Sequence, residues 1–156
     1  MRINKYTTKI NRETLRNELV KEKAVNYSSY KKLDTPARCV QMLNDLFNLQ
    51  NLSEEYMYML TLNTKSDITG VFEIAHGTVS LCPAGPREIL NKALLIGATG
   101  IILVHNHPSG YCEPSETDKR FTKRIQEACK IVEISFYDHI VVGYEDFFSF
   151  CINDLL

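Results

Sequence analysis

The sequence predicts an α/β domain, a layered mixed β-sheet flanked by helices, and three observations carry that expectation. Two short runs, YMYMLTL at 56–62 and IILV at 101–104, are apolar at almost every position, as strands covered on both faces are. Between and beyond them lie segments with apolar residues at helical spacing. The chain has 156 residues, 44% of them hydrophobic and 24% charged, which suits one domain able to bury its own core.

Taken in order, Asn11 is a candidate N-cap, and Leu15 and Leu19 stand one turn apart, so a short helix is predicted to about residue 24. A polar stretch, Asn26-Tyr27-Ser28-Ser29-Tyr30, follows and places a boundary near residue 33. The expected organisation is therefore a basic N-terminal arm with a short helix over 1–33 and a second unit over 34–156. Thr35 as cap, with Pro36 at the first helical position, opens a helix that carries Val40, Leu43 and Phe47 on one face. The strand at 56–62 ends in the polar turn Asn63-Thr64-Lys65-Ser66-Asp67, and another strand is expected over about 71–81. Pro86 begins a helix with Ile89, Leu90, Ala93 and Leu94, and Thr99-Gly100 turns the chain into the strand at 101–104. Ser115 starts a helix carrying Phe121, Ile125, Ala128 and Val132, and strands are expected at about 133–142 and 146–151.

Composition narrows the class. Apolar runs are only a few residues long, whereas a membrane-spanning helix needs about 20 and a signal peptide core about 7–15, so no membrane association and a cytoplasmic location are expected. Five scattered cysteines without a Cys-x-x-Cys argue against a disulfide framework or a tetrathiolate site. The net charge of −1 hides an asymmetry: residues 1–32 hold nine of the 18 Lys and Arg but three of the 19 acids. Such an arm either touches nucleic acid or lies against its own acidic body.

The stretch from His105 to Asp118 holds the chemistry. Residues i and i+2 of an extended chain face the same way about 6–7 Å apart, so His105 and His107 can present both imidazoles to one point. Neutral imidazoles suit zinc. Turns at Pro108-Ser109-Gly110 and Pro114-Ser115 allow Asp118, in the first turn of the next helix, to add a carboxylate, leaving a fourth tetrahedral position for water. Glu55, at the entry of a central strand, is the candidate base for that water, and Ser115 the candidate donor to the oxyanion of a tetrahedral intermediate. Together these residues describe metal-assisted hydrolysis of an amide.

The pattern His105-x-His107-Pro108 followed by Ser115-x-x-Asp118, with an upstream Glu at a strand start, resembles the JAMM (JAB/MPN+) zinc metalloprotease motif. More narrowly, Val104-His105-Asn106-His107-Pro108-Ser109-Gly110 with Pro114-Ser115, the earlier Pro86-Arg87-Glu88-Ile89 and the later Asp138-His139-Ile140-Val141-Val142-Gly143 resembles the bacterial RadC family over about residues 35–152. The resemblance implies a cytidine-deaminase-like architecture, zinc on His105, His107 and Asp118, Glu55 (rather than the adjoining Glu54) as acid and base, Ser115 as oxyanion helper, and a protein or peptide substrate. RadC proteins commonly carry an N-terminal helix-hairpin-helix module where this chain has a short basic arm. They are often labelled DNA repair proteins, so the alternative is a non-catalytic DNA-associated accessory factor that makes its contact through residues 1–32.

Plainer roles stand beside these. Ser115-x-x-Asp118 ahead of a periodic helix is also a capping box, in which Asp118 would serve the backbone and compete with ligation. Glu55 is otherwise an exposed carboxylate at the end of a helix. Cys112, between the ligands, is either a small apolar side chain or a thiolate ligand and redox switch. His76 and His139 lack a spaced partner and read as structural, His139 hydrogen-bonded inside a strand. Arg87 reads as an ordinary ion-pair partner. The letters His-Asn-His at 105–107 do not make the nuclease motif of that name, whose residues come from separated parts of a ββα unit. A nucleobase deaminase needs His-x-Glu and Pro-Cys-x-x-Cys, and neither occurs here.

Overall fold

The computed structural model describes residues 1–77 and 84–156. Its strands are β1 (Arg2–Ile10), β2 (Asn17–Asn26), β3 (Tyr56–Leu62), β4 (Ile68–His76), β5 (Gly100–Asn106), β6 (Ser135–Val142) and β7 (Phe147–Ser149). Its helices are α1 (Pro36–Phe47), α2 (Pro86–Leu95) and α3 (Glu116–Ile131). The strands form one mixed sheet in the order β2-β1-β4-β3-β5-β6-β7. β5 and β6 run parallel with α3 as their crossover, whereas β3 is antiparallel to both its neighbours. The layered α/β expectation holds. Cys82 and the last residues of the strand expected over 71–81 lie outside the described residues.

The central strands are buried because helices cover both faces. On one face, α1 lays Val40, Met42 and Leu43 over Tyr58, Leu60, Ile102, Val104 and Ile140. On the other, α2 and α3 bring Ile89, Ala93, Ile125 and Cys129 to Met57, Met59, Phe72 and Leu103. Alternate residues of β3 thus enter different cores, and no polar face survives to give the strand a period of two. The starts of α1 and α3 agree with the sequence: Thr35 Oγ1 accepts from the Arg38 amide with Pro36 in the first turn, and Ser115 caps α3.

The N-terminal arm differs from expectation. Residues 2–26 form an antiparallel hairpin, and the helix expected from Asn11 to about 24 is instead strand β2. Asn11 does act locally, its Oδ1 accepting from the Glu13 and Thr14 amides, but Leu15 then adopts φ 55° and the chain turns back. Two leucines one turn apart are weak evidence for a helix, and pairing overrode it. β1 lies parallel to β4, with Lys5 opposite Val71 and Tyr6 opposite Phe72, so the sheet runs through the boundary expected near residue 33. Lys5 pairs with Glu22 and Glu73, and Tyr6 stacks on Phe72. The segment read as a linker is also anchored: Tyr27 is buried and its hydroxyl donates to Asp45 at 2.6 Å.

A docked hairpin has a measurable consequence. Amides in β1 should exchange slowly in the native protein, and Tyr6→Pro, which removes a donor from a strand paired on both sides, should abolish protection across residues 2–26 while leaving β5 and β6 protected. Rapid exchange of β1 in the unmutated chain would contradict the pairing.

Candidate metal centre and active site

The site lies where β5 ends. Met57 pairs with His105 in the antiparallel ladder between β3 and β5. Carrying that register two residues further sets Glu55 across from His107, and directly opposed residues share a face. That face is the one occupied by Met57, Met59 and Leu103, against which α3 packs. If the alternation of β3 continues past its first residue, Glu55 falls on the face of the histidines and Glu54 on the other. Electrostatics places Glu55 near the cluster, since its carboxyl feels both His107 and Asp118.

Asn106 faces the other way and fastens this arrangement. Buried, it accepts the Tyr56 amide at 2.7 Å and donates to the Glu54 carbonyl at 3.0 Å. One side chain from the middle of the His-Asn-His triplet thus holds the backbone on either side of Glu55. The sequence reading missed it because its partners lie 50 to 54 positions upstream.

His105, His107 and Asp118 converge. The two Nε2 atoms are 3.1 Å apart; His105 Nε2 lies 3.4 Å from Asp118 Oδ1, and His107 Nε2 lies 3.5 Å from Asp118 Oδ2. These three residues form a group that could hold a metal ion. Donor atoms about 2.0–2.1 Å from a tetrahedral ion are separated by about 3.3 Å, close to the separation of the two Nε2 atoms and of each from its nearer Asp118 oxygen, although the two histidines face different oxygens of that carboxylate. Two imidazoles and one carboxylate suit a borderline ion such as zinc better than the oxygen-seeking calcium or magnesium. His107 Nδ1 lies 2.9 Å from the Tyr111 carbonyl, which can only accept, so its hydrogen is committed there and Nε2 is left facing the site.

Asp118 also completes the capping box, and the two roles do not exclude each other because a carboxylate has two oxygens. Oδ2 accepts from the Ser115 amide at 2.8 Å and from the Ser115 hydroxyl at 2.6 Å, while the Asp118 amide donates back to Ser115 Oγ at 3.1 Å. Oδ1 stays turned to His105. In this arrangement the Ser115 proton is held by Asp118 and not offered to a substrate.

The charges follow from burial and these bonds. Burial pushes His105 down to about 4, against the pull of Asp118, so this imidazole is neutral near pH 7. Burial also opposes charge on His107, but Asp118, the Tyr111 carbonyl and Glu55 outweigh it and raise its pKa. Burial resists ionisation of Asp118 as well, yet hydrogen bonding with His107, the field of His105 and the Ser115 donors hold the carboxyl well below the usual range. Burial raises Glu55 above an ordinary carboxylate, His107 partly opposing. Burial pushes the Cys112 thiol upward too, keeping it protonated, and Cys112 is not one of the three residues of the cluster.

His139 lies in β6 and is hydrogen-bonded there, as expected from the sequence, but one of its partners is His105 of the cluster. Its Nε2 lies 2.8 Å from His105 Nδ1 and its Nδ1 lies 2.6 Å from Thr122 Oγ1. Its neighbour Asp138 accepts from Ser149 Oγ and the Cys151 amide. His76 stacks on Tyr56, and Arg87 has no ion pair among the described residues.

The turn carrying His107 depends on Gly143. A Cβ there would lie 2.4 Å from the Gly110 carbonyl oxygen and 3.0 Å from the Cys112 amide nitrogen, both backbone atoms. Gly143→Ala should therefore displace the turn and weaken metal binding, whereas Gly97→Ala, at a position with open space, should leave metal binding intact despite its strained φ; isothermal titration with zinc separates them. Asn106→Ala should cost about 1–3 kcal/mol for each buried partner left unsatisfied, and it should lower turnover more than metal affinity because it frees Glu55 rather than a histidine.

Comparison with known proteins places the chain in a family. A family model described as RadC-like JAB domain matches residues 33–155. The chain is 41% identical over 102 residues to a UPF0758 protein of Actinobacillus pleuropneumoniae, covering 65% of this chain and 46% of that protein. It is 36% identical over 124 residues to a UPF0758 protein of Chlorobium luteolum (76% and 56%) and 35% identical over 147 residues to one of Haemophilus influenzae (89% and 64%). The chain thus spans about half the length of the first of these relatives and somewhat more of the others. No helix among the described residues is long and apolar enough to cross a membrane. With a family model matching residues 33–155, most of its length, the chain belongs to the RadC-like JAB domain family.

Proposed function

We propose that this chain is a zinc-dependent hydrolase of peptide or isopeptide bonds, with His105, His107 and Asp118 as metal ligands, Glu55 as acid and base, and Ser115 as oxyanion donor. The observation that carries the reading is the convergence of two imidazoles and one carboxylate, with a second carboxyl, that of Glu55, close enough to feel His107 and Asp118. Zinc held there supplies Lewis acidity, which lowers the pKa of water from 15.7 to about 7 and polarises a carbonyl.

The protein's own groups do the rest. Glu55, its pKa raised by partial burial, is placed to accept a proton from the attacking water and return it to a leaving amine. The neighbouring Asp118 charge helps hold that proton on Glu55 between the two transfers. Ser115 Oγ can keep the Asp118 amide bond while its own hydrogen turns from Oδ2 to the oxyanion, a donor available only when the carboxylate has another partner for its charge. Where His107 carries a second proton, on Nε2, it must lose it before that atom can bind metal, and its raised pKa then couples loading to proton release.

Metal analysis after dialysis against zinc is expected to give one ion per chain in the native protein and loss of it in His107→Ala and Asp118→Asn. Thermal unfolding should show the native chain stabilised by about 2.7 kcal/mol at zinc concentrations near 100 times the dissociation constant, and reversal by a chelator. Glu55→Gln should retain the ion yet lose about 10²–10⁴-fold in turnover of an amide substrate. Absence of stoichiometric zinc, or full activity of Glu55→Gln, would refute the assignment.

A further inference from the structure

We infer that Thr122 and His139 are positioning residues that set the tautomer of His105 and thereby aim an unprotonated Nε2 into the metal centre. The inference deepens the proposed metal site and rests on His105 being one of its ligands.

The argument follows one proton at a time. Thr122 Oγ1 lies 2.7 Å from the Asp118 backbone carbonyl, one turn earlier on α3. A carbonyl has no hydrogen to give, so the single hydroxyl hydrogen of Thr122 must point at it. Thr122 Oγ1 is then only an acceptor for its other close neighbour, His139 Nδ1 at 2.6 Å, and His139 must carry its hydrogen on Nδ1. A neutral imidazole has one hydrogen, which leaves His139 Nε2 as a lone pair. The atom it faces at 2.8 Å, His105 Nδ1, must therefore be the donor. His105 in turn has no hydrogen left for Nε2, the atom that lies 3.1 Å from His107 Nε2 and 3.4 Å from Asp118 Oδ1.

Packing makes the chain of bonds rigid. Both histidines and Thr122 are buried, at 1%, 0% and 2% exposure, so no water can substitute a different hydrogen-bond pattern. The His139 ring is stacked on Phe150 with centroids 5.2 Å apart and meets Phe121 edge-on at 5.8 Å, which holds its plane. The relay starts on the same residue whose side chain is the third candidate ligand: the Asp118 carbonyl orients Thr122 while the Asp118 carboxylate faces His105. His107 obtains the same result separately, from the Tyr111 carbonyl. Two different routes therefore deliver two lone pairs to one point.

Long-range nitrogen–proton correlation spectra of the metal-free protein read the tautomers directly, and zinc titration reads their effect. In the native chain, His105 and His139 are both expected as Nδ1–H tautomers. Thr122→Val, of nearly the same shape, should move both to Nε2–H, leave the His107 signals in place and weaken zinc binding about 10–100-fold. Thr122→Ser should restore the native spectrum and affinity. His139→Phe, which keeps the ring stack but removes the acceptor, should weaken zinc binding similarly and covers the case in which the valine variant does not fold. A native spectrum with the proton on His105 Nε2, or Thr122→Val with unchanged tautomers and zinc affinity within twofold, would overturn the inference. A native protein that binds no zinc would defeat the proposed function instead, and the metal-free spectrum would still decide the tautomer question.

Discussion

Everything at the site depends on the antiparallel register between β3 and β5. Met57 stands opposite His105, a register that if continued sets Glu55 opposite His107, whereas a slip of one residue would exchange the faces of Glu55 and Glu54. The register is held by burial on both faces, since the same slip would move Met57 and Met59 into the core that now receives Tyr58 and Leu60. Asn106 locks the end of the ladder, where the strands themselves no longer pair, by bonding the backbone on either side of Glu55.

Around that frame the site is organised by sharing. Asp118 uses one carboxylate oxygen to cap α3 and leaves the other to His105, while its backbone carbonyl takes the Thr122 hydroxyl. The cap fixes where the helix begins, and the helix start fixes where the carboxylate sits, so local folding and site geometry are the same event. Burial has a comparable double effect. It keeps His105 neutral, as a ligand must be, and raises Glu55 toward the range in which a carboxyl can both accept and return a proton.

The N-terminal hairpin shows a limit of local reasoning. Asn11 makes bonds of the kind that an N-cap makes, but a turn that reverses the chain uses the same acceptor. What decides between them is β4, about 60 residues away, which offers β1 a strand to pair with. Lys5, one of the arm's basic residues, is paired with Glu73 on that strand, so part of the charge asymmetry between the arm and the rest of the chain is satisfied within the molecule.

By itself the sequence determined the fold class, the buried strands at 56–62 and 101–104, the starts of α1 and α3, and the spacing of His105, His107 and Asp118, because each is written in neighbouring residues as a period, a cap or a turn. Only the tertiary structure decided that β2 is a strand and that Asn106, Thr122 and His139 support the site, because these depend on groups far apart in sequence, 17 to 54 positions for the side-chain bonds and about 60 for β1 with β4, being brought together by the fold. Asp118 belongs to both: the pattern Ser-x-x-Asp named two competing roles, and the structure shows the cap on one oxygen while the other faces His105.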